Sequence, residues 1–203
     1  MPDKTDRNTA PLFGDGAAAV LLEPRNVFRK YRWHAGCDGD RADIMRGEIN
    51  GGIHLDGVHV YDRAVRIMSD TVNRLRDGDI EPTIVVGHQA NSRILQKVRE
   101  QVDVGDAVFV NCVEQFGNTS SASIPLAVGA CVAQRSIPLT GRSILVAYGA
   151  GEAWGGVSVD YDLTAAVAGP DETDEAMPWC AISLIPNSCE HHWSRMTLAR
   201  SIG

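Results

Sequence analysis

The sequence predicts an α/β fold, and two repeated features predict it. Short apolar runs at residues 83–86, 107–110 and 143–148 have the length and the β-branched content of buried strands. The first two runs are each followed by a polar turn and then by a segment suited to a helix, at residues 91–102 and 120–132. Strands that alternate with helices in this way build a sheet with helices packed against it.

The elements before residue 83 follow from the spacing of apolar residues and glycines. Residues 1–11 are polar and form an N-terminal segment, after which residues 17–22 predict a strand. Residues 24–56 contain glycines at five positions, which indicate short strands and loops. Apolar residues between Val58 and Arg76 recur at helical spacing, so we expect a helix with one face on the sheet.

Residues 83–91 are predicted to form a strand, a turn and the start of a helix. His88 directly follows the strand, and Asn91 is a suitable N-cap for a helix that carries Ile94, Leu95 and Val98 on one face. Ligands and catalytic groups collect at the carboxyl ends of such strands, beside helix N-termini. His88 is therefore a candidate functional residue, although a histidine at this point can also simply close the turn.

Two further strand ends are expected to meet the first. Asn118 lies in a polar turn after the run at residues 107–110, and a helix of small residues follows it. The run at residues 143–148 leads into Gly149-Ala150-Gly151, and residues 154–161 add a final strand. One histidine, one asparagine and one glycine loop are thus predicted to converge at one edge of the sheet.

The chain contains four short motifs in a fixed order: Phe13-Gly14-Asp15-Gly16-Ala17, Gly87-His88-Gln89-Ala90-Asn91, Phe116-Gly117-Asn118-Thr119-Ser120 and Tyr148-Gly149-Ala150-Gly151-Glu152-Ala153-Trp154-Gly155. Together they resemble the C-terminal half of β-ketoacyl-[acyl-carrier-protein] synthase III, a thiolase-fold condensing enzyme. The resemblance runs from about residue 7 to residue 161. It implies the C-terminal half of a thiolase-like fold, a mixed sheet with packed helices, with this domain at residues 12–162. In that family the catalytic cysteine belongs to the N-terminal half, which we expect to be missing here.

The resemblance implies catalytic roles for three residues. His88 and Asn118 would donate hydrogen bonds to the enolate oxygen that forms when a malonyl thioester loses CO2. The backbone N–H of Ala150 would contribute to a second oxyanion hole, for the attack of that enolate on an acyl-cysteine. Relatives that transfer acyl groups without decarboxylation need no enolate clamp, so the pair favours carbon–carbon condensation.

Substrate contacts are also implied by the resemblance. Gly57 and Asn91 would line the tunnel for the pantetheine arm of coenzyme A or of the acyl carrier protein. Arg93 would lie on the basic surface that receives the acidic carrier protein, and Lys97 lies one helical turn further along. A charged helix face of this kind is also typical of a plain solvated surface.

The chain departs from the family pattern at three positions. Val58 is apolar where the family commonly has an amide, and Gly87 precedes His88 where the family has proline. Glu152 follows the glycine loop where an apolar residue is usual. These departures leave the nucleotide contacts and the acyl-chain shape open, whereas they do not affect the His88 and Asn118 pair.

Composition and charge exclude several classes of function. A net charge of −7 and a pI near 5.3 argue against nucleic-acid or anionic-membrane partners, which favour a basic surface. No run reaches the length of a membrane-spanning helix and residues 1–9 contain no apolar leader segment, so we expect a cytoplasmic protein. The five cysteines are scattered and indicate reduced thiols rather than a disulfide framework. Cys112 lacks the glycine-flanked helix-start setting of a nucleophile and is predicted, with Cys131, to be a core residue.

No metal or cofactor is expected. His34, His54 and the aspartates at positions 38, 40 and 43 show no ligand spacing and are interpreted as solvated loop residues. Residues 163–203 comprise an acidic linker and a tail without a family counterpart. The tail residues Cys189, His191 and His192 lack the paired spacing of a zinc site.

Three functions remain open at this point. The first is one half of a split acyltransferase that uses acyl-CoA and malonyl-ACP, completed by a partner polypeptide with the N-terminal half, a dimer mate, or both. The second is a non-catalytic interaction subunit that keeps the fold, and the third is a truncated gene remnant. The retained His88, Asn118 and glycine loop favour the first, whereas the unmatched tail favours the third.

Overall fold

The computed structural model describes residues 7, 9–22, 31–47, 52–76, 78, 80–164 and 183–184. Most of the acidic linker and tail, with the cysteines and histidines at its end, lies outside the described residues. The strands are β1 (Leu21–Leu22), β2 (Arg32–Cys37), β3 (Met45–Gly47), β4 (Ile53–Leu55), β5 (Ile84–Gly87), β6 (Val108–Val110), β7 (Thr140–Gly149), β8 (Ala153–Asp162) and β9 (Ser183–Leu184). The helices are α1 (Gly57–Leu75), α2 (Ser92–Gln101), α3 (Val113–Phe116) and α4 (Ser123–Ala133).

Seven of the described strands form one mixed sheet. Their order is β1-β9-β8-β7-β5-β6, with β2 alongside β8. Strand β5 runs parallel to β6 and β7, whereas β8 runs antiparallel to β7 and β2. The carboxyl ends of β5, β6 and β7 therefore lie at the same edge, which we call the carboxyl edge. The fold is α/β with a mixed sheet, as predicted.

Helices cover both faces of the sheet, and β5 shows how its sequence produces this. Val85 faces α1 and α2, in a cluster with Met68 and Leu95. Ile84 and Val86 point the other way, toward the buried face of α4. Because both faces are covered, the strand is apolar throughout rather than alternating.

Helix α4 carries apolar or small residues on all of its faces. Ala127, Val128 and Cys131 are buried against the sheet. Ile124, Leu126 and several neighbours on the remaining faces stay half-buried. A helix without a polar face is typical of an element covered on both sides.

The predicted elements are largely confirmed, with two corrections. The predicted strand at residues 17–22 is reduced to Leu21–Leu22, because only these two residues pair with β9 in the described sheet, and residues 14–20 have no regular secondary structure. The helix predicted from residue 120 starts as a 3-10 turn at residues 120–122 and becomes α-helical at Ser123, because Ser120 adopts a left-handed φ of 54° that an α-helix excludes. None of the helices in the described ranges is long and apolar enough to cross a membrane.

Candidate active site at the carboxyl edge

The carboxyl edge borders a cavity of about 800 Å³. Its lining brings together six of the seven residues that the family resemblance singled out, namely Gly57, His88, Asn91, Arg93, Asn118 and Ala150. The parallel register explains part of this convergence, because Gly87 pairs with Val146 and so brings the end of β5 beside the last residues of β7. The turn with Asn118 follows β6 and the short helix α3.

His88 is fixed by its backbone and by one ring nitrogen. Its backbone N–H donates to the Val146 carbonyl at 2.8 Å, and its Nδ1 lies 2.7 Å from the Ser123 hydroxyl. Its Nε2 has no protein partner among the described residues. Burial lowers the pKa of His88, so the imidazole is neutral at pH 7 and retains one N–H for donation.

Asn118 is held by three hydrogen bonds that leave its amide nitrogen free. Its Oδ1 accepts from the Ser120 N–H at 2.9 Å. Because a backbone N–H can only donate, this contact identifies the oxygen, and Nδ2 is a donor without a partner in the ranges that the structure describes. The backbone of Asn118 bonds to the Leu12 carbonyl and to the Gly14 N–H, at 2.9 and 3.1 Å.

Two glycines permit this close approach of two chain segments. A Cβ atom on Gly14 would overlap the Phe116 carbonyl oxygen. Gly117 adopts φ of 65° and lies against the same segment, where a Cβ would be 3.2 Å from the Gly14 nitrogen. The glycine-rich motif at residues 13–17 therefore positions Asn118.

Gln89 connects the strand ends beneath His88. It is fully buried, and its Nε2 donates to the Gly87 and Val110 carbonyls at 2.7 and 3.3 Å. Its Oε1 accepts from the Cys112 N–H at 2.7 Å. All polar atoms of this side chain are satisfied, so Gln89 rigidly links β5 to β6 at the base of the site.

Asn91 and Arg93 lie at the cavity and Lys97 does not. Asn91 is the N-cap of α2, as predicted, because its Oδ1 accepts from the Arg93 N–H at 2.8 Å. The exposed Arg93 side chain has no partner among the described residues. Lys97 lies outside the cavity lining and donates to Glu100 at 2.9 Å, which raises the pKa of Lys97.

A buried ion pair anchors the glycine loop at residues 149–151 on the side away from the cavity. Arg63 on α1 donates to the Glu152 carboxylate and, at 3.1 Å, to Asp38. Glu152 is 2% exposed and adopts a left-handed φ of 47°. The Asp38 N–H donates to the Glu152 carbonyl at 3.0 Å. Glu152, noted in the sequence as a departure beside the acyl site, therefore faces away from the cavity, whereas Ala150 is exposed at it.

Two of the residues interpreted as solvated loop residues have other settings. Asp38 belongs to the Arg63 ion-pair cluster, and His34 lies half-buried on β2 with its Nδ1 3.4 Å from the Thr71 hydroxyl. Within the ranges that the structure describes, no group of three or more His, Cys, Asp or Glu side chains could hold a metal ion.

Cys112 occupies a buried position that disfavours a thiolate. It is the N-cap residue of the four-residue helix α3, and no glycine flanks it. A contact with the Cys131 sulfur at 4.0 Å and burial nevertheless raise the pKa of Cys112 well above its usual range. Cys37 is exposed but does not line the cavity.

Comparison with known proteins matches the arrangement to one family. The family model described as 3-oxoacyl-[acyl-carrier-protein (ACP)] synthase III C terminal matches residues 72–161, and that described as 3-oxoacyl-[acyl-carrier-protein (ACP)] synthase III matches residues 1–39. This chain belongs to the 3-oxoacyl-[acyl-carrier-protein] synthase III family. The second match overlaps the start of residues 12–162, which the sequence interpretation had assigned to the C-terminal domain.

Curated synthase III proteins align with the chain over about half of their own length. The β-ketoacyl-[acyl-carrier-protein] synthase III of Staphylococcus saprophyticus is 37% identical over 170 residues, which cover 78% of this chain and 53% of that protein. The corresponding protein of Pseudomonas aeruginosa is 34% identical over 177 residues, covering 77% of this chain and 53% of the relative.

Solved synthase III structures share the fold. The crystal structure of 3-oxoacyl-(acyl carrier protein) synthase III from Pseudomonas aeruginosa PAO1 superposes with a TM-score of 0.67 at 31% identity, over 79% of this chain and 54% of that one. The priming β-ketosynthase of the R1128 polyketide pathway gives a TM-score of 0.66 at 25% identity, over 79% of this chain and 53% of that one. The thiolase-like fold implied by the sequence motifs is thereby confirmed.

Four residues with defined contacts in the site were not assigned roles from the sequence. They are Arg63, Gln89, Ser123 and, as an anchor rather than a departure, Glu152. Gln89 lies in the motif at residues 87–91, and an amide side chain in the predicted turn was the available signal. The contacts of Ser123 and Arg63 join residues 35 and 89 positions apart in the chain, and no local pattern indicates them.

Proposed function

We propose that this chain is the C-terminal half, or a subunit, of a 3-oxoacyl-[acyl-carrier-protein] synthase III-like acyltransferase. It contributes the histidine and asparagine for decarboxylative condensation of acyl-CoA with malonyl-ACP. The nucleophilic cysteine belongs to a partner polypeptide that carries the N-terminal half of the thiolase fold, and a dimer mate completes the assembly.

One observation carries the proposal: His88 and Asn118 line the same cavity, and each has one polar atom held by the protein and one donor left free. The held atoms are Nδ1 of His88 and Oδ1 of Asn118. Donors fixed before the reaction are what an oxyanion needs, because no reorganisation is required as its charge develops.

The chemistry assigned to the pair begins after an acyl group has moved from coenzyme A to the partner's cysteine. The malonyl C–C bond breaks, CO2 leaves, and the electron pair forms an enolate whose oxygen accepts from His88 and Asn118. The enolate carbon then attacks the acyl-cysteine carbonyl, and the thiolate leaves. The Ala150 N–H and the N–H of the nucleophile stabilise that second oxyanion.

The positions of the described cysteines support a nucleophile from another polypeptide. Among the described residues, Cys112 and Cys131 are buried in the core and Cys37 lies away from the cavity. Helix α4 supports a partner half as well, because its half-buried apolar faces need a cover that the described residues do not provide.

The substrate path follows from the lining of the cavity. Gly57 and Asn91 are assigned to the pantetheine arm, which reaches the His88 and Asn118 donors from the cavity mouth. Arg93 is assigned to the acidic carrier protein, because it is an exposed cation at that mouth and pairs with no side chain in the described part of the protein. Lys97 extends this surface more weakly, because Glu100 already neutralises it.

Reconstitution tests the proposal. The full chain should be co-expressed with a polypeptide that carries the N-terminal half, and both partial reactions should be measured for each component and for the complex. Neither acyl loading nor malonyl decarboxylation is expected from this chain alone, and both are expected from the complex. A stable thioester on a cysteine of this chain, or a complex without decarboxylation, would reject the proposal in favour of a non-catalytic subunit.

A further inference from the structure

The hydroxyl of Ser123 lies between the imidazole of His88 and the next peptide group. Ser123 is the first residue of α4 and is 2% exposed. Its Oγ lies 2.7 Å from His88 Nδ1, and the Gln89 N–H donates to it at 3.3 Å. The first residue of α4 thereby contacts two consecutive residues of the turn that follows β5.

The hydrogens of this contact can be assigned from the partners. A serine hydroxyl carries one hydrogen, and the Gln89 N–H can only donate, so Oγ accepts there. Within the described part of the chain, the single acceptor within reach of the hydroxyl hydrogen is Nδ1 of His88. If Nδ1 carried the ring hydrogen instead, the buried hydroxyl would have no acceptor, which is unfavourable.

We propose that Ser123 is a positioning residue that holds neutral His88 as its Nε2–H tautomer. Nδ1 then accepts from Ser123, and the single ring N–H is the one without a protein partner, available to a ligand in the cavity. The importance of this for decarboxylation rests on the proposed function, whereas the tautomer itself does not.

Histidine ring nitrogens report the tautomer directly. The full chain, labelled with 15N-histidine and purified with the partner half where co-expression is needed for solubility, contains six histidines. The His88 signal is identified by its loss in His88→Gln. We expect a protonated Nε2 and an unprotonated Nδ1 for His88 at pH 7.5. A protonated Nδ1 in the wild-type protein would by itself overturn the proposal.

Substitution separates positioning from folding. Ser123→Ala should convert His88 to a mixture with the Nδ1–H tautomer in a protein that still folds, with a modestly lower melting temperature because the buried Gln89 N–H loses its acceptor. Ser136→Ala is the matched control, because Ser136 follows the same helix and bonds to the Cys131 carbonyl at 3.2 Å, away from His88. An unchanged tautomer in Ser123→Ala would also contradict the proposal.

The kinetic consequence distinguishes this proposal from the proposed function. In an active complex, Ser123→Ala should lower the decarboxylation rate roughly tenfold, less than the 10²–10³-fold of a deleted oxyanion donor, and leave acyl loading unchanged. A tautomer change in an inactive complex would reject the proposed function and support the positioning. An active complex in which Ser123→Ala leaves the tautomer unchanged would reject the positioning role and support the proposed function.

Discussion

At the scale of single residues, burial determines the charge state of His88. The pKa of His88 in the folded protein lies below the ordinary value of 6.5. At pH values between the folded and the unfolded pKa, the unfolded chain therefore binds a proton that the folded chain does not. Stability should therefore fall as the pH drops below about 6.5. Melting temperatures measured from pH 7.5 to 5.5 should decrease, and the decrease should be smaller in His88→Gln. An equal decrease in both proteins would show that His88 is not the group responsible.

The Arg63 and Glu152 pair should be sensitive to the loss of either partner. Arg63→Met leaves a carboxylate that is 1% exposed without its cation, and we expect a loss of roughly 3–5 kcal/mol in the free energy of unfolding. Replacing both residues with Met should recover much of that loss. Arg74→Met is the control, because its pair with Asp70 on the same helix is more than half exposed, and it should lose less than about 1 kcal/mol. Equal losses from Arg63→Met and Arg74→Met in denaturant titrations would refute the anchoring role.

At the scale of elements, local sequence predicts what local forces determine. The strand β5, the turn with His88 and the Asn91 cap were predictable, because β-branched residues, a capping side chain and helical spacing act over a few positions. The bounds of β1 were not, because Leu21 and Leu22 pair with the remote strand β9, and no local pattern indicates that partner. The start of α4 was misplaced because Ser120 adopts a turn conformation that its sequence does not require.

Gly14→Ala should disturb the segment that holds Asn118. The added methyl group would overlap the Phe116 carbonyl, and overpacking against backbone typically costs about 1–3 kcal/mol. Gly39→Ala is the matched control, because a Cβ there meets nothing within 4 Å. Chemical denaturation of both variants measures the difference. A Gly14→Ala protein as stable as Gly39→Ala would show that this contact does not constrain the turn.

At the scale of the whole molecule, the site depends on contacts that are distant in sequence. The motifs indicated that His88, Asn118 and Ala150 would converge, and all three line one cavity. The residues that support them come from remote elements: Leu12 and Gly14 beside Asn118, Ser123 behind His88, and Arg63 behind the glycine loop. Sequence patterns reveal the residues that face a ligand more readily than the residues that support them. The supporting residues depend on packing between segments that are distant in the chain.

The cavity mouth should discriminate carrier-protein substrates by charge. Arg93→Glu should lower kcat/KM for malonyl-ACP more than for malonyl-CoA in the complex, and the difference should shrink with salt, because the Debye length is about 10 Å at 0.1 M. Lys97→Glu should have a smaller effect than Arg93→Glu, since Lys97 is already paired with Glu100. Arg74→Glu, at the far end of α1, is the control. Equal effects of Arg93→Glu on both substrates at all salt concentrations would exclude a docking role.

The central claim is that His88 and Asn118 stabilise an enolate formed with a nucleophile from a partner chain. The most direct measurement is the rate of CO2 release from a malonyl thioester by the complex, beside the rate of acyl loading and the melting temperature, for wild type, His88→Ala and Asn118→Ala. Asn118→Ala should lower CO2 release by about 10²-fold or more while acyl loading and the melting temperature remain unchanged. His88→Ala should impair CO2 release similarly. A uniform loss of both reactions, in proportion to a lowered melting temperature, would contradict the claim. It would show that His88 and Asn118 only stabilise their turns.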